Sequence, residues 1–266
     1  MTTPAQNSSP SGAIRIGVAA VILAIVGAGA FGFWYLFLRP SGPAPVGGTS
    51  VLVPSASAAS ASSAPSTASS SAADPSSVPV AGGIDGTWNV DTSIGSFSDF
   101  SDSFVGYRVQ EQLANIGGNI AVGRTPDVSG SLTIAGTEVT AATIEANLTS
   151  LKSDDDRRDG QLSRQGLQTG TYPTATFTLT SPIDLGSVPA DGTEVSVTAS
   201  GQLTLHGQTK DVQVPLKAKL SGSTIVVTGS IEIAFADYGI SKPTSFAVLS
   251  IADTGTLELQ LFFTKA

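Results

Sequence analysis

The chain has 266 residues, a formal net charge of −8 at pH 7, one histidine and no cysteine. The lack of cysteine excludes a disulfide framework and a thiolate metal site, and one histidine leaves too few ligands for zinc or iron. Acidic residues outnumber basic ones, whereas nucleic-acid binding requires clustered lysine and arginine to neutralise phosphates. Composition therefore excludes nucleic-acid binding, and we expect no metal and no cofactor.

The sequence begins with a short tail, residues 1–15, followed by an uncharged apolar stretch, residues 16–38. A bilayer-spanning helix needs ~20 apolar residues, and Trp34 and Tyr35 suit an interfacial aromatic belt. The alternative is a cleaved signal peptide with Ala28–Ala30 as its cleavage site. Because the apolar run continues beyond that site, we favour a retained single-pass anchor. The short tail and the long following domain favour an extracytoplasmic C-terminal domain in the cell membrane.

Small residues recur every four positions in this stretch, at Ala20, Ala24, Ala28 and Gly32. On a helix they would form one stripe that allows two helices to approach closely, and so a homodimer through the membrane segment. Chance alignment of common small residues explains the same spacing. We favour chance alignment, and the homodimer is the alternative.

Residues 39–83 form a segment rich in Ser, Ala, Pro and Gly. Between Pro40 and Gly83 the only charge is Asp74, and bulky side chains are nearly absent. Such a segment cannot offset the entropy of ordering, so we expect it to be disordered. A flexible coil of this length reaches ~35–40 Å, which would hold the following domain clear of a membrane.

The remaining residues, 84–266, alternate apolar and polar side chains in many short runs separated by turn signals. Period-two alternation is typical of strands with one apolar face, and many such runs predict an all-β antiparallel sandwich or barrel. One short helix is predicted near Arg157–Gln168, where Leu162 and Leu167 could face the sheet. A domain of this length suffices to close a barrel around a cavity.

The clearest of these signals is a hairpin around the only histidine, His206. Apolar residues recur at odd positions from Val195 to Leu205 and at even positions from Val212 to Leu220. The change of parity falls beside a glycine, which supplies the positive φ that a short hairpin loop requires. We therefore expect a solvated turn histidine without a catalytic role. The chain is not expected to be an enzyme.

The charged run Asp154-Asp155-Asp156-Arg157-Arg158-Asp159 is a weak calcium candidate. It lacks the alternate spacing and the distal glutamate of a calcium loop, and its arginines compete for the carboxylates. The better interpretation is a self-neutralising helix start in which Arg158 pairs with Asp159.

Several sequence blocks occur in an order and spacing that are characteristic of one protein family. They are Trp88-Asn89-Val90-Asp91, Arg158-Asp159-Gly160-Gln161-Leu162, Tyr172-Pro173-Thr174-Ala175-Thr176-Phe177, Gly201–Lys210 and Phe235–Ile240. Together they resemble the YceI-like family, the bacterial polyisoprenoid-binding, lipocalin-like proteins. The resemblance implies an exported eight-stranded antiparallel barrel that holds an isoprenoid or other long-chain lipid in its lumen. The sequence departs from the family pattern at Gln161 and in the irregular stretch Ser93–Phe104, which bears on the cavity mouth.

Inward members of the alternating runs are the expected wall of this lumen. They are Tyr107, Phe177, Leu179, Leu203, Leu205, Val227 and Phe235. Ordinary core packing explains each of them equally well. The expected function is that of a membrane-tethered, extracytoplasmic lipid-binding protein. The alternative is an interaction module, displayed on a stalk, that binds a protein or a cell-wall partner.

Overall fold

The computed structural model describes residues 43–46, 83–114, 117–243, 246 and 248–266. The predicted tail, the predicted membrane span and most of the predicted linker lie outside these residues. Within the described ranges, no helix is long and apolar enough to cross a membrane. These ranges contain an all-antiparallel β domain with one short α-helix.

The secondary structure is dominated by strands, and the helical elements are short. The strands are β1 (Gly86–Val90), β2 (Phe104–Leu113), β3 (Gly117–Thr125), β4 (Val128–Ala135), β5 (Glu138–Asn147), β6 (Lys152–Ser153), β7 (Thr174–Leu179), β8 (Ile183–Asp184), β9 (Glu194–Leu205), β10 (Gln208–Ser221), β11 (Thr224–Ala234), β12 (Val248–Ile251) and β13 (Thr254–Lys265). The helical elements are a 3-10 turn (Leu148–Ser150), α1 (Asp156–Gln161), a π turn (Leu162–Gly166) and a second 3-10 turn (Phe235–Tyr238).

Eight strands close a barrel. Their order around the wall is β1-β4-β5-β7-β9-β10-β11-β13, and β13 returns to β1 through pairs that run from Trp88–Lys265 to Val90–Phe263. The same side of β13 also pairs with β2, which continues to β3 and β6. Strands β1 and β2 therefore follow one another along β13. The predicted eight-stranded antiparallel barrel with a short helix is confirmed.

The predicted hairpin joins β9 to β10 through His206 and Gly207. Leu205 pairs with Gln208, and the two loop residues have φ values of +51° and +72°. Two successive positive φ values are those of a type I′ turn, whose twist matches that of the paired strands. The odd-to-even change in the sequence keeps both apolar runs on the inner face of the barrel. This prediction is confirmed.

The predicted helix begins with a side-chain cap. The Asp155 carboxylate accepts hydrogen bonds from the backbone N–H groups of Arg157 at 2.8 Å and Arg158 at 3.3 Å. Such a cap satisfies donors that the first helical turn cannot pair internally. After its last residue α1 widens into the π turn. Leu162 and Leu167 pack with the apolar cluster at this end of the barrel, as expected.

The irregular stretch Ser93–Phe104 covers the outer wall of the barrel. Odd-numbered residues of β13 face inward, so Gln260 points outward, and its side chain donates to the carbonyls of Phe100 at 3.2 Å and Asp102 at 2.9 Å. The Ser103 hydroxyl accepts a hydrogen bond from the backbone N–H group of Phe262 on β13 at 2.9 Å. The stretch contributes no residue to the cavity wall, because polar groups on the outer face of β13 hold it outside the barrel.

Two aspartates of this stretch predict opposite pH dependences of stability. Burial raises the pKa of Asp102, whereas hydrogen bonds from Ser101 lower the pKa of Asp99. A carboxyl group whose pKa is raised by folding stabilises the protein below its unfolded-state pKa, and this stabilisation is lost as the pH rises through its folded-state pKa. A carboxyl group whose pKa is lowered stabilises the protein above its unfolded-state pKa, and this stabilisation is lost as the pH falls through its folded-state pKa. We compare the free energy of unfolding of each variant with that of the unchanged protein. For Asp102→Asn this difference should be more favourable at about pH 7 than at about pH 3, and for Asp99→Asn it should be less favourable. Urea unfolding between these pH values tests this, and the same sign in both variants would contradict it.

Candidate functional site

The barrel contains a cavity of about 580 Å³. Its wall consists of the inward faces of the strands and, at one end, of α1, the π turn and residues 240–243. Nearly all of these side chains are aliphatic or aromatic. Several stay half-exposed although they point inward, because they face the cavity: Val109, Phe177, Leu179, Val197, Leu216 and Ile231. The interior is therefore open, within the ~300–1,000 Å³ range of sites for single small ligands.

Three aromatic rings of the wall lie over glycines of neighbouring strands. A Cβ at Gly123 would lie 2.4 Å from Tyr107 Cε1, one at Gly201 2.4 Å from Phe177 Cζ, and one at Gly255 2.9 Å from Phe235 Cε1. Each ring thus occupies the place of a missing side chain and packs against the wall. These glycines were missed as site residues. For Gly201 and Gly255 the signal is a glycine at an inward position of an alternating run, whereas Gly123 lies on a strand that shows no such run.

The seven residues predicted to line a lumen all lie on the cavity wall. Tyr107 comes from β2, Phe177 and Leu179 from β7, Leu203 and Leu205 from β9, Val227 from β11, and Phe235 from the second 3-10 turn. The structure thus brings them to one cavity from four strands and a turn. Their contact with a ligand stays a prediction.

One end of the cavity carries charged side chains. Glu111 Oε1 accepts hydrogen bonds from Arg158 Nη2 and Asn119 Nδ2, both at 2.7 Å, and Glu111 and Arg158 both line the cavity. Burial alone would lower the pKa of Arg158, but its interactions with Glu111 and Asp154 raise that pKa overall. Burial raises the pKa of nearby Tyr107, so its hydroxyl stays neutral. This end can exchange hydrogen bonds with a polar group, whereas the rest of the wall offers almost only apolar contacts.

The helix-start prediction named the wrong partner for Arg158. Asp159 instead accepts hydrogen bonds from the Ser153 backbone N–H at 3.0 Å and hydroxyl at 2.6 Å. Arg158 pairs with Glu111 and, one turn away, with Asp154. The carboxylates of Asp154, Asp155 and Asp159 are therefore bound by groups of the protein itself. The described part of the chain contains no group of three or more His, Cys, Asp or Glu side chains that could hold a metal ion.

His206 does not line the cavity, and it is buried. Its relative exposure is 8%, its Nδ1 donates to the Tyr238 carbonyl at 2.9 Å, and its ring centre lies 4.5 Å from that of Tyr172. The expectation of a solvated turn histidine is therefore wrong in its exposure, although the turn itself is present. A ring from a distant part of the sequence covers it.

This packing makes Gly207 harder to replace than other turn glycines. A Cβ at Gly207 would lie 2.7 Å from Tyr172 Cε1, whereas one at Gly222, also at positive φ, meets nothing within 4 Å. Gly222→Ala adds only backbone strain of about 1 kcal/mol, and we expect Gly207→Ala to cost about 2–3 kcal/mol. Urea unfolding of both variants measures the difference. Equal losses would contradict the packing role of Tyr172.

The observed architecture is a closed eight-stranded β-barrel with an apolar internal cavity and one charged end. A family model described as the YceI-like domain matches residues 88–263. The chain therefore belongs to the YceI-like family, as its sequence blocks predicted. No curated protein matches the chain.

Several solved structures are similar to this chain, and the first of them shares its fold. A polyisoprenoid binding domain from Saccharophagus degradans, implicated in plant cell wall breakdown, is 24% identical with a TM-score of 0.52, covering 68% of this chain and 99% of its own. BcnA from Burkholderia cenocepacia is 22% identical with a TM-score of 0.47, covering 60% and 95%. The YceI protein of Campylobacter jejuni is 17% identical with a TM-score of 0.45, covering 54% and 84%.

Proposed function

We propose that this protein binds a polyisoprenoid or similar long-chain lipid inside its barrel. The observation that carries the proposal is the cavity of about 580 Å³ with an almost wholly apolar wall. Each methylene group moved from water into such a wall contributes ~0.8 kcal/mol before the costs of association. The similar domain from Saccharophagus degradans, itself a polyisoprenoid binding domain, supports the same ligand class.

The charged end of the cavity gives the ligand a direction. Glu111 and Arg158 are already paired at 2.7 Å, so their charges are compensated before a ligand enters. A ligand with a neutral polar headgroup can exchange hydrogen bonds with this pair without leaving an unpaired buried charge. We therefore place the headgroup beside α1 and the chain among the residues of β7, β9 and β11. The function requires neither catalysis nor a cofactor.

Native mass spectrometry of the full chain, purified in a mild detergent, tests this proposal. We expect an adduct of lipid mass, and organic extraction should release a lipid that contains prenyl units. After delipidation, the protein should take up an added long-chain prenyl alcohol. A linear fatty alcohol of similar length distinguishes an isoprenoid site from a general acyl-chain site. An unadducted mass that does not change when either alcohol is added would refute lipid binding.

The proposed location is the extracytoplasmic face of a membrane, with residues 16–38 as the anchor. Its support is the sequence: a charge-free apolar stretch of sufficient length that precedes a polar segment and the barrel. Alkaline carbonate extraction of cells should leave the full chain in the membrane pellet, and external protease should degrade the barrel in intact spheroplasts. Release into the soluble fraction or protection from protease would contradict this location. Self-association through the small-residue stripe stays a separate prediction, which Ala24→Leu tests.

A further inference from the structure

The outer wall of the barrel carries a buried cluster of two arginines and one glutamate. Glu258 pairs through Oε2 with Arg108 Nε and through Oε1 with Arg124 Nη2, both at 2.7 Å. The side chains of Arg124 and Glu258 are 3% and 1% exposed. Each guanidinium group has five N–H donors, so one carboxylate cannot satisfy both groups. The cluster therefore has N–H donors left for another partner.

That partner is a proline-rich segment of the same chain, Pro43–Val46. Arg108 Nη2 donates to the Pro43 carbonyl, and Arg124 Nη2 donates to the Ala44 carbonyl at 2.9 Å. Prolines carry no N–H group, so the sequence Pro43-Ala44-Pro45 cannot complete a strand ladder, but all of its carbonyls can accept. Arginine side chains only donate. The two successive carbonyls and the two neighbouring arginines are therefore chemically complementary.

Aromatic rings fix the position of Arg124. Its Cζ lies 4.1 Å from the ring centre of Phe104 and 4.6 Å from that of Phe100, which packs edge to face against Phe97. Guanidinium groups are favoured over such ring faces. All three rings belong to the stretch Ser93–Phe104, where the sequence departs from the family pattern. This departure and the proline-rich segment meet at one place on the wall.

We infer that Arg108 and Arg124 form a docking site for Pro43–Val46 of the same chain. The chain then contacts the barrel twice, at this segment and at β1, and residues 47–82 connect two points on one barrel. Those residues add nothing to the distance between the barrel and the residues that precede Pro43.

The consequence concerns the reach of the tether and rests on the anchor proposed at residues 16–38. From Leu38 to Pro43 the extended chain spans at most ~18 Å. The undocked linker would reach ~35–40 Å. Docking therefore shortens the free tether between the docked segment and residues 16–38 from ~35–40 Å to at most ~18 Å. The docking site itself does not depend on lipid binding.

The absence of cysteine allows a direct test in the full chain. Ala44→Cys introduces one site for a nitroxide label on an exposed side chain and leaves the backbone carbonyl in place. Docking predicts strong paramagnetic broadening of amide signals near Arg108 and Glu258. It predicts none at Gln202 on β9, four strands away around the barrel. Uniform weak broadening, or broadening centred elsewhere, overturns the inference.

Two variants provide the comparison. Arg108→Lys keeps a positive charge beside Glu258 but cannot bridge two acceptors as a guanidinium group does. Replacing both Pro43 and Pro45 with glycine leaves the barrel unchanged and raises the entropy that the segment loses on docking. Both variants should reduce the equilibrium constant between the docked and undocked states of Pro43–Val46 about fivefold or more. Arg164→Lys, at an exposed arginine of the π turn, is the control and should change nothing. Undiminished broadening in the glycine variant overturns the inference, even if Arg108→Lys fails to fold.

Discussion

Ala142→Trp is expected to weaken lipid binding about 70-fold. Ala142 lies on β5 with its side chain on the cavity wall. A buried tryptophan covers about 150–250 Å². If it displaces about 100 Å² of ligand contact at about 25 cal/mol per Å², the loss is about 2.5 kcal/mol. Titration of the delipidated full chain with a fluorescent prenyl alcohol measures the dissociation constant.

The neighbouring residue offers a matched control. Ala141 is an exposed alanine of the same strand, because a bulge in the pairing with β4 changes the alternation there. Ala141→Trp adds the same ring to the outside of the barrel and should leave the dissociation constant within about twofold of the original value. Equal affinities in the two variants would show that the lipid does not occupy the cavity.

Glu258→Gln is expected to lower the free energy of unfolding by about 3–5 kcal/mol. Glu258 is the shared counter-charge of Arg108 and Arg124 on the outer wall. Burial lowers the pKa of Arg124, yet a guanidinium group keeps its proton near neutral pH. The neutral amide would therefore leave two positive charges in a buried cluster without compensation. Urea unfolding at about pH 7 measures the loss.

The control is Glu145→Gln, the same change at an exposed position of β5. Surface substitutions of this kind usually stay within about 0.5 kcal/mol. If the two variants differ by less than about 1 kcal/mol, Glu258 is not the counter-charge of a buried cluster. Combining Glu258→Gln with Arg108→Met removes one of the unpaired charges and should restore part of the loss.

Strands with one clearly apolar face and one clearly polar face could be predicted from the sequence. On β9, Val195 and Leu205 mark an apolar face and Glu194 and Gln202 the opposite face, and Gly207 marks the turn that follows. Such patterns are local, because the side-chain period of a strand does not depend on the partner strand. The same patterns located the wall residues, since a closed barrel gives every strand one inner face.

Strands with weak contrast were missed. The strand β3 carries glycine at Gly117, Gly118 and Gly123, so few of its positions show a preference for either face. The strand β5 contains a bulge near Ala141, which shifts the apolar positions from odd to even and breaks the period. Neither strand shows a continuous alternation, and only pairing with their neighbours defines them.

Contacts between distant residues could not be predicted at all. The sequence places Arg158 next to Asp159, whereas the fold brings Glu111 to it from β2. Likewise, nothing near His206 indicates that Tyr172 covers it. In both cases the partner depends on which strands become neighbours when the barrel closes. The local pattern identifies the element, and the topology determines the partner.

The pairing of β1 with β13, which closes the barrel, has a consequence for the order in which the strands assemble during synthesis. β1 and β13 pair between Trp88–Val90 and Phe263–Lys265, and these segments are separated by every other strand of the wall. A contact of such high sequence separation carries a large loop-closure entropy and forms late. Without β13, the strands β1 and β11 would lack the partner that joins them, and the apolar inner face between them would be accessible. The proposed lipid could then be enclosed as the last strand closes the wall, without passing through an opening in the finished barrel.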